Sequence, residues 1–125
     1  MSEDNVLDHS SQYSLDFARK QGLRVVLPTA LELQIDIDSD EALYDFERRY
    51  ELARNTGLPL AGYSSQPSKS GGEKRHITVR MSLKITPLER IALQAILGSD
   101  WRRELFSYDR LQRGDAVPTL FFERP

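Results

Sequence analysis

Two segments of this chain alternate apolar and polar residues with a period of two, and nothing else in the sequence constrains the fold as strongly. In Leu31 to Asp38, Leu33, Ile35 and Ile37 interleave with Glu32, Gln34, Asp36 and Asp38; in Arg75 to Leu83, Ile77, Val79, Met81 and Leu83 interleave with His76, Thr78, Arg80 and Ser82. Successive side chains of a strand point to opposite faces, so each segment is expected to be a strand with one apolar face to bury and one polar face to display. The chain must build a sheet that is covered on its apolar side.

The segments between these strands supply the cover. Ser39 or Asp38 is placed to cap a helix from about Asp40 to Asn55, with Leu43, Phe46, Tyr50 and Ala53 as its core stripe and Gly57 just past its end. Leu60 to Ser65 is expected to be a short strand, and Gln66 to Glu73, with Pro67, Ser68, Ser70, Gly71 and Gly72, a loop. Thr86-Pro87-Leu88-Glu89 is a capping box with proline at the first helical position, and Leu88, Ile91, Ala92, Ala95 and Ile96 continue at helical spacing to Gly98. Ser99 is then expected to cap a further helix, whose stripe of Trp101, Leu105, Tyr108 and Leu111 points to the core. Val117 to Glu123 is a closing strand, with Leu120 and Phe122 inward and Phe121 and Glu123 outward.

Ahead of this series, Ser14 to Gln21 suits a short helix, and Leu23 to Leu27 a short extended piece before Pro28. Residues 1–13 hold few large apolar groups and are expected to be a flexible arm, leaving 14–125 as a single α+β domain. The order after the first helix is β-α-β-β-α-α-β. That is the ferredoxin-like, RRM-like arrangement, which predicts a four-stranded antiparallel sheet with helices on one face and the other face open.

At 125 residues, the chain has room for one domain and excludes a multi-domain enzyme. It has no cysteine, which removes disulfides, thiolate metal sites and thiol nucleophiles. No apolar run approaches the roughly 18 residues of a membrane span, and the start MSEDNVLDHSSQ is acidic and polar where a secretory signal is basic and then apolar. A soluble, cytoplasmic protein without membrane contact is expected.

The formal net charge of -2 conceals segregation. Leu31 to Glu47 carries seven acids and no Lys or Arg, a charge of -7, whereas Ser68 to Lys84 carries five bases against one acid, a charge of +4. In the expected topology the first and third strands are neighbours, so Asp36 and Asp38 lie beside His76, Thr78 and Arg80 on the open face. Two aspartates at i and i+2 on a strand point the same way, and hard cations such as Mg²⁺ or Mn²⁺ take such carboxylates together with water and phosphate oxygens. Glu123 on the closing strand is placed to bring a third carboxylate. Lys69, Ser70, Gly71 and Gly72 allow backbone N–H groups to approach a phosphate, with Lys74, Arg75 and Arg80 to neutralise it. His76 suits a phosphate contact or the positioning of a substrate hydroxyl. Phe121 on the open face is placed to stack on a base, whereas Trp101, Phe106 and Tyr108 belong to the core.

Three motifs in this order, Ile35-Asp36-Ile37-Asp38, Ser70-Gly71-Gly72-Glu73-Lys74-Arg75-His76 and Phe122-Glu123, resemble those of archaeo-eukaryotic primases and primase-polymerases. The resemblance implies an RNA-recognition-like catalytic sheet and a minimal nucleotidyltransferase acting on nucleoside triphosphates and nucleic acid. It makes Asp36, Asp38 and Glu123 the ligands of divalent Mg or Mn, and His76 the contact to the incoming nucleotide, with Lys69, Ser70 and Arg75 as phosphate partners. A phage or mobile-element protein of DNA replication, working with a partner subunit or as a homo-oligomer, fits this reading. The alternative is a non-catalytic ferredoxin-like module that binds nucleic acid or protein, an inactive relative or a subunit of a replication complex.

Overall fold

The computed structural model describes residues 9–68 and 71–125. In chain order the elements are α1 (His9–Gln21), β1 (Arg24–Val26), β2 (Glu32–Ile37), α2 (Asp40–Asn55), β3 (Leu60–Pro67), β4 (Arg75–Met81), α3 (Pro87–Ile96), α4 (Trp101–Gln112) and β5 (Phe121–Glu123). The α+β class and the expected order are present. The helix expected from Ser14 starts earlier, at His9, so the end of the expected arm is helical, and residues 1–8 of that arm lie outside the described residues.

The two alternating segments pair antiparallel as β2 and β4, with Leu33 opposite Val79, Ile35 opposite Ile77 and Asp36 opposite His76. β3 pairs with the other edge of β4, giving a three-stranded sheet of order β2-β4-β3. Its register shifts between Leu60 and Tyr63, where Gly62 takes a φ of 116°. That backbone conformation is strained for an L side chain, so the bulge favours glycine; a β-carbon there would also displace the movable tip of Arg80, whose Nη2 would lie at 2.8 Å.

Phe46 and Tyr50 of α2 cover the apolar face, packing with Leu33, Ile35, Ile37, Ile77, Val79 and Leu97 in one buried cluster. Ser39 caps α2 through its side chain to Ala42 N, 3.1 Å, and Thr86 and Glu89 form the reciprocal capping box of α3. These local signals act as the sequence predicts.

The four-stranded sheet does not form among the described residues. β5 pairs with β1 in a separate two-stranded ribbon, Val25 opposite Phe122. The free edge of β2 is closed by side chains instead. Gln94 Oε1 accepts from Gln34 N at 2.8 Å, Ser99 Oγ accepts from Asp36 N at 2.9 Å, and Arg90 Nε donates to Glu32 O at 2.9 Å. Arg103 Nη1 donates to Gln34 O, and Asp36 O accepts from Asp100 N at 2.9 Å. With these edge groups satisfied, β2 has no free ladder positions there for β5.

The ribbon lies over the face that was expected to be open. Gln34, 2% exposed, donates through Nε2 to Val26 O at 2.9 Å, and Phe122 meets Phe17 of α1 edge to face at 5.0 Å. α4 is also turned around relative to expectation. Trp101, Leu105 and Tyr108 are exposed at 67%, 54% and 44%, while Glu104 and Ser107 are buried. Its cap is Asp100, because Ser99 is buried between Asp36 N and Glu104.

Candidate functional site

The ladder that sets Asp36 opposite His76 places both on the face turned away from α2, and the ribbon brings β5 to the same point. Phe121 is buried, and its ring lies parallel to the His76 imidazole, 1° between planes and 3.9 Å between centroids. Glu123 Oε2 stands 3.4 Å from His76 Nδ1, and Asp36 Oδ1 stands 3.7 Å from Nε2. The imidazole is therefore held by an aromatic ring on its face and approached by a carboxylate at each nitrogen.

His76 is 6% exposed, and this burial pushes its pKa below the ordinary 6.5 against the pull of Asp36 and Glu123. Burial raises Asp36 above 3.8, with Asp100 and Asp38 adding repulsion and Arg103 and His76 opposing it. A neutral imidazole has one N–H. We assign it to Nδ1 from the shorter contact to Glu123, which leaves the Nε2 lone pair toward Asp36.

A pocket of about 120 Å³ opens beside the ring, with Asp36, His76 and Phe121 on one side and Arg103, Ser107 and Arg110 of α4 on the other. Arg103 is fixed by the fold: Nη1 donates to Gln34 O and to Glu104 Oε2, and Nη2 to Gln34 Oε1 at 3.3 Å and Leu120 O at 3.0 Å. Its guanidinium lies 4.8 Å from the Phe121 ring centroid.

Of the residues singled out in the sequence, Asp36, His76 and Glu123 come together. Phe121, expected to be outward and free to stack on a base, is buried against His76 because β5 folds over the sheet. Asp38 follows the end of β2 and is exposed. Arg80 turns to the β3 bulge, where Nη2 donates to Ala61 O at 3.4 Å, and Arg75 donates to Ser65 Oγ at 3.4 Å. Gly71 and Gly72 form the turn before β4; the Gly71 N–H bonds Ser68 O at 2.9 Å, and Lys74 donates its own N–H to Gly71 O. None of Arg75, Arg80, Lys74, Gly71 and Gly72 lines the pocket. Lys69 and Ser70 lie outside the described residues. The sequence reading missed Arg103, Ser107 and Arg110. Their signal is a polar stripe at i, i+4 and i+7 on α4, beside the apolar stripe of Trp101, Leu105, Tyr108 and Leu111.

For a divalent cation, Asp36 and Asp38 are hard oxygen donors two positions apart at the end of β2, Asp36 partly buried and Asp38 exposed. Glu123 is engaged elsewhere, with Oε1 3.7 Å from Arg24 Nη2 and Oε2 against His76. Among the described residues no group of three or more His, Asp or Glu side chains is close enough to hold an ion. Among the same residues no helix is long and apolar enough to cross a membrane. No family model, curated protein or solved structure matches the chain.

Proposed function

We propose that the chain is a minimal primase-polymerase-like nucleotidyltransferase whose site is the pocket around His76. The observation that carries this reading is the meeting of Asp36, His76 and Glu123 from three separate strands: Asp36 and His76 line the pocket together with Arg103 and Arg110, and Glu123, outside the lining, contacts His76 at Nδ1. In the reaction, a hydroxyl oxygen bonds the α-phosphorus of a nucleoside triphosphate, the bond from that phosphorus to the bridging oxygen breaks, and pyrophosphate leaves. His76 Nε2, uncharged and held in orientation by Phe121 and Glu123, takes the hydroxyl proton. Its contacts are long without substrate, as general-base contacts commonly are, and tighten when the hydroxyl enters. Asp36 and Asp38 would hold a Mg or Mn ion, which when bound supplies charge neutralisation at phosphate oxygens.

The engagement of both Glu123 oxygens favours a second reading, in which Glu123 serves to tie β5 to β1 and β4 in a binding module that needs no metal. Calorimetric titration with Mn²⁺ and nucleoside triphosphate, on wild type and Asp36→Ala, separates the two. Metal-dependent nucleotide binding that Asp36→Ala abolishes is the expected result. Metal-independent binding of oligonucleotides, unchanged in Asp36→Ala, selects the module, and absence of metal-dependent binding in wild type overturns the enzyme reading.

A further inference from the structure

We propose that the pocket beside α4 is an oxyanion site anchored by Arg110, taking the phosphoryl or carboxylate end of a ligand without metal. It goes beyond the nucleotide reading, because its chemistry stands whether or not that ligand is a nucleotide.

The site arises from the inverted packing of α4. Arg103, Ser107 and Arg110 follow one another at i, i+4 and i+7, so they share one helix face, and all three line the pocket. The two arginines differ in what they touch. Arg103 has spent its donors on Gln34, Glu104 and Leu120, and Glu104 neutralises its charge. Arg110 has no carboxylate, carbonyl or ring partner for its guanidinium among the described residues, although it is only half-exposed and the wall across from it includes Pro118 and Leu120.

A cation drawn partly out of water beside apolar walls, with no counter-charge, gains from an anion that restores its interactions. The guanidinium fork matches the paired oxygens of a carboxylate or phosphate, and the buried Ser107 one turn away offers a hydroxyl donor on the same face. The lining holds one carboxylate, Asp36, and two guanidiniums, of which Arg103 is already matched by Glu104, so Arg110 is the cation left to meet an anion. Size sets the ligand class. At about 120 Å³ the pocket is well below the roughly 300–1,000 Å³ of sites that enclose a whole drug-sized ligand, so it seats one functional group and leaves the rest of the ligand outside.

The experiment is metal-free calorimetric titration of the full chain with inorganic phosphate, tripolyphosphate and succinate, on wild type, Arg110→Gln, Arg110→Lys and Arg113→Gln. Wild type should bind at least one of these probes, and the preference between phosphates and dicarboxylate identifies the oxyanion. Arg110→Gln should weaken binding by about tenfold to a hundredfold, the range expected for charge-assisted hydrogen bonds. Arg110→Lys should retain part of it, and Arg113→Gln, on the exposed Arg113–Asp109 pair of the same helix, should retain it in full. No binding of any probe to wild type, or equal binding by wild type and Arg110→Gln, overturns the proposal. Mn²⁺-dependent nucleotide binding that survives without metal-free oxyanion binding leaves the enzyme reading standing and removes this one. Metal-free oxyanion binding lost in Arg110→Gln, with no Mn²⁺-dependent nucleotide binding, does the reverse.

Discussion

Burial pushes the His76 imidazole below its ordinary 6.5 while Asp36 and Glu123 pull it up, and burial prevails. Folding therefore binds this proton less tightly than the unfolded chain does, so the contribution of His76 to stability is present above pH 6.5 and is lost as pH falls below it toward the folded pKa. Asp36 has the opposite sign. Its raised pKa makes its contribution complete below pH 3.8 and lost as pH rises through the folded value. Asp36 therefore adds no loss on acidification, and a loss that begins as pH falls below 6.5 carries the sign of His76. Urea unfolding of wild type between pH 8 and pH 5 should show stability falling below about pH 6.5, and His76→Gln should flatten that slope. Identical slopes in the two proteins would show that His76 is not buried in its neutral form. Phe121 acts on the same residue through stacking, and Phe121→Ala should open the face of the ring to water, moving the His76 pKa back toward 6.5 in an NMR titration.

At the scale of elements, the edge of β2 depends on one buried carboxylate. Glu104 accepts from Gln94 Nε2 at 2.6 Å, Ser99 Oγ at 2.7 Å and Arg103 Nη1 at 2.9 Å, and these three side chains are among those that satisfy the β2 backbone. Glu104→Ala leaves Arg103 without its counter-charge and the other two without orientation. We expect a loss of about 3–5 kcal/mol in chemical denaturation, the range for breaking a buried pair by removing one member. Hydrogen exchange should localise the damage: the amides of Gln34 and Asp36, which face Gln94 and Ser99, should speed up more than that of Ile35, which alternation turns toward β4. A loss under about 1 kcal/mol would place the edge's stability elsewhere. The same network explains which elements were legible in the sequence. β2, β4, α2 and α3 each carry either a long period-two run or a capping signature, and those are local. The closure of β2 is not local, since Gln34 meets Gln94 and Arg103 across 60 and 69 residues. β1 and β5 have three residues each, too few to display a period, so their mutual pairing could not be read. The meeting of Asp36 and His76 was legible because register follows from which face is buried. Arg103 and Arg110 were not, because a helix's apolar stripe normally marks its buried side.

Across the whole molecule the layers follow from that inversion. The apolar face of the sheet is covered by α2, its polar face by the β1–β5 ribbon, and its β2 edge by the polar sides of α3 and α4, which leaves the apolar side of α4 facing outward. Two leucines close in sequence test this arrangement against the one expected from periodicity. Leu97, fully buried in the main cluster, and Leu105, 54% exposed, would both be core residues if the stripe of α4 pointed inward. Truncating a buried leucine to alanine costs about 2–5 kcal/mol, whereas truncation at an exposed site stays within about 0.5 kcal/mol. Leu97→Ala should therefore show the full core cost and Leu105→Ala almost none. Trp101, the sole tryptophan, supplies an independent optical check, since at 67% exposure its fluorescence should be that of a solvated indole and should be quenched by acrylamide nearly as well in the native protein as in urea. A core-sized loss for Leu105→Ala, together with a quencher-resistant Trp101, would mean that α4 turns its apolar side inward; Arg103 and Arg110 would then leave the pocket, and the oxyanion site would go with them.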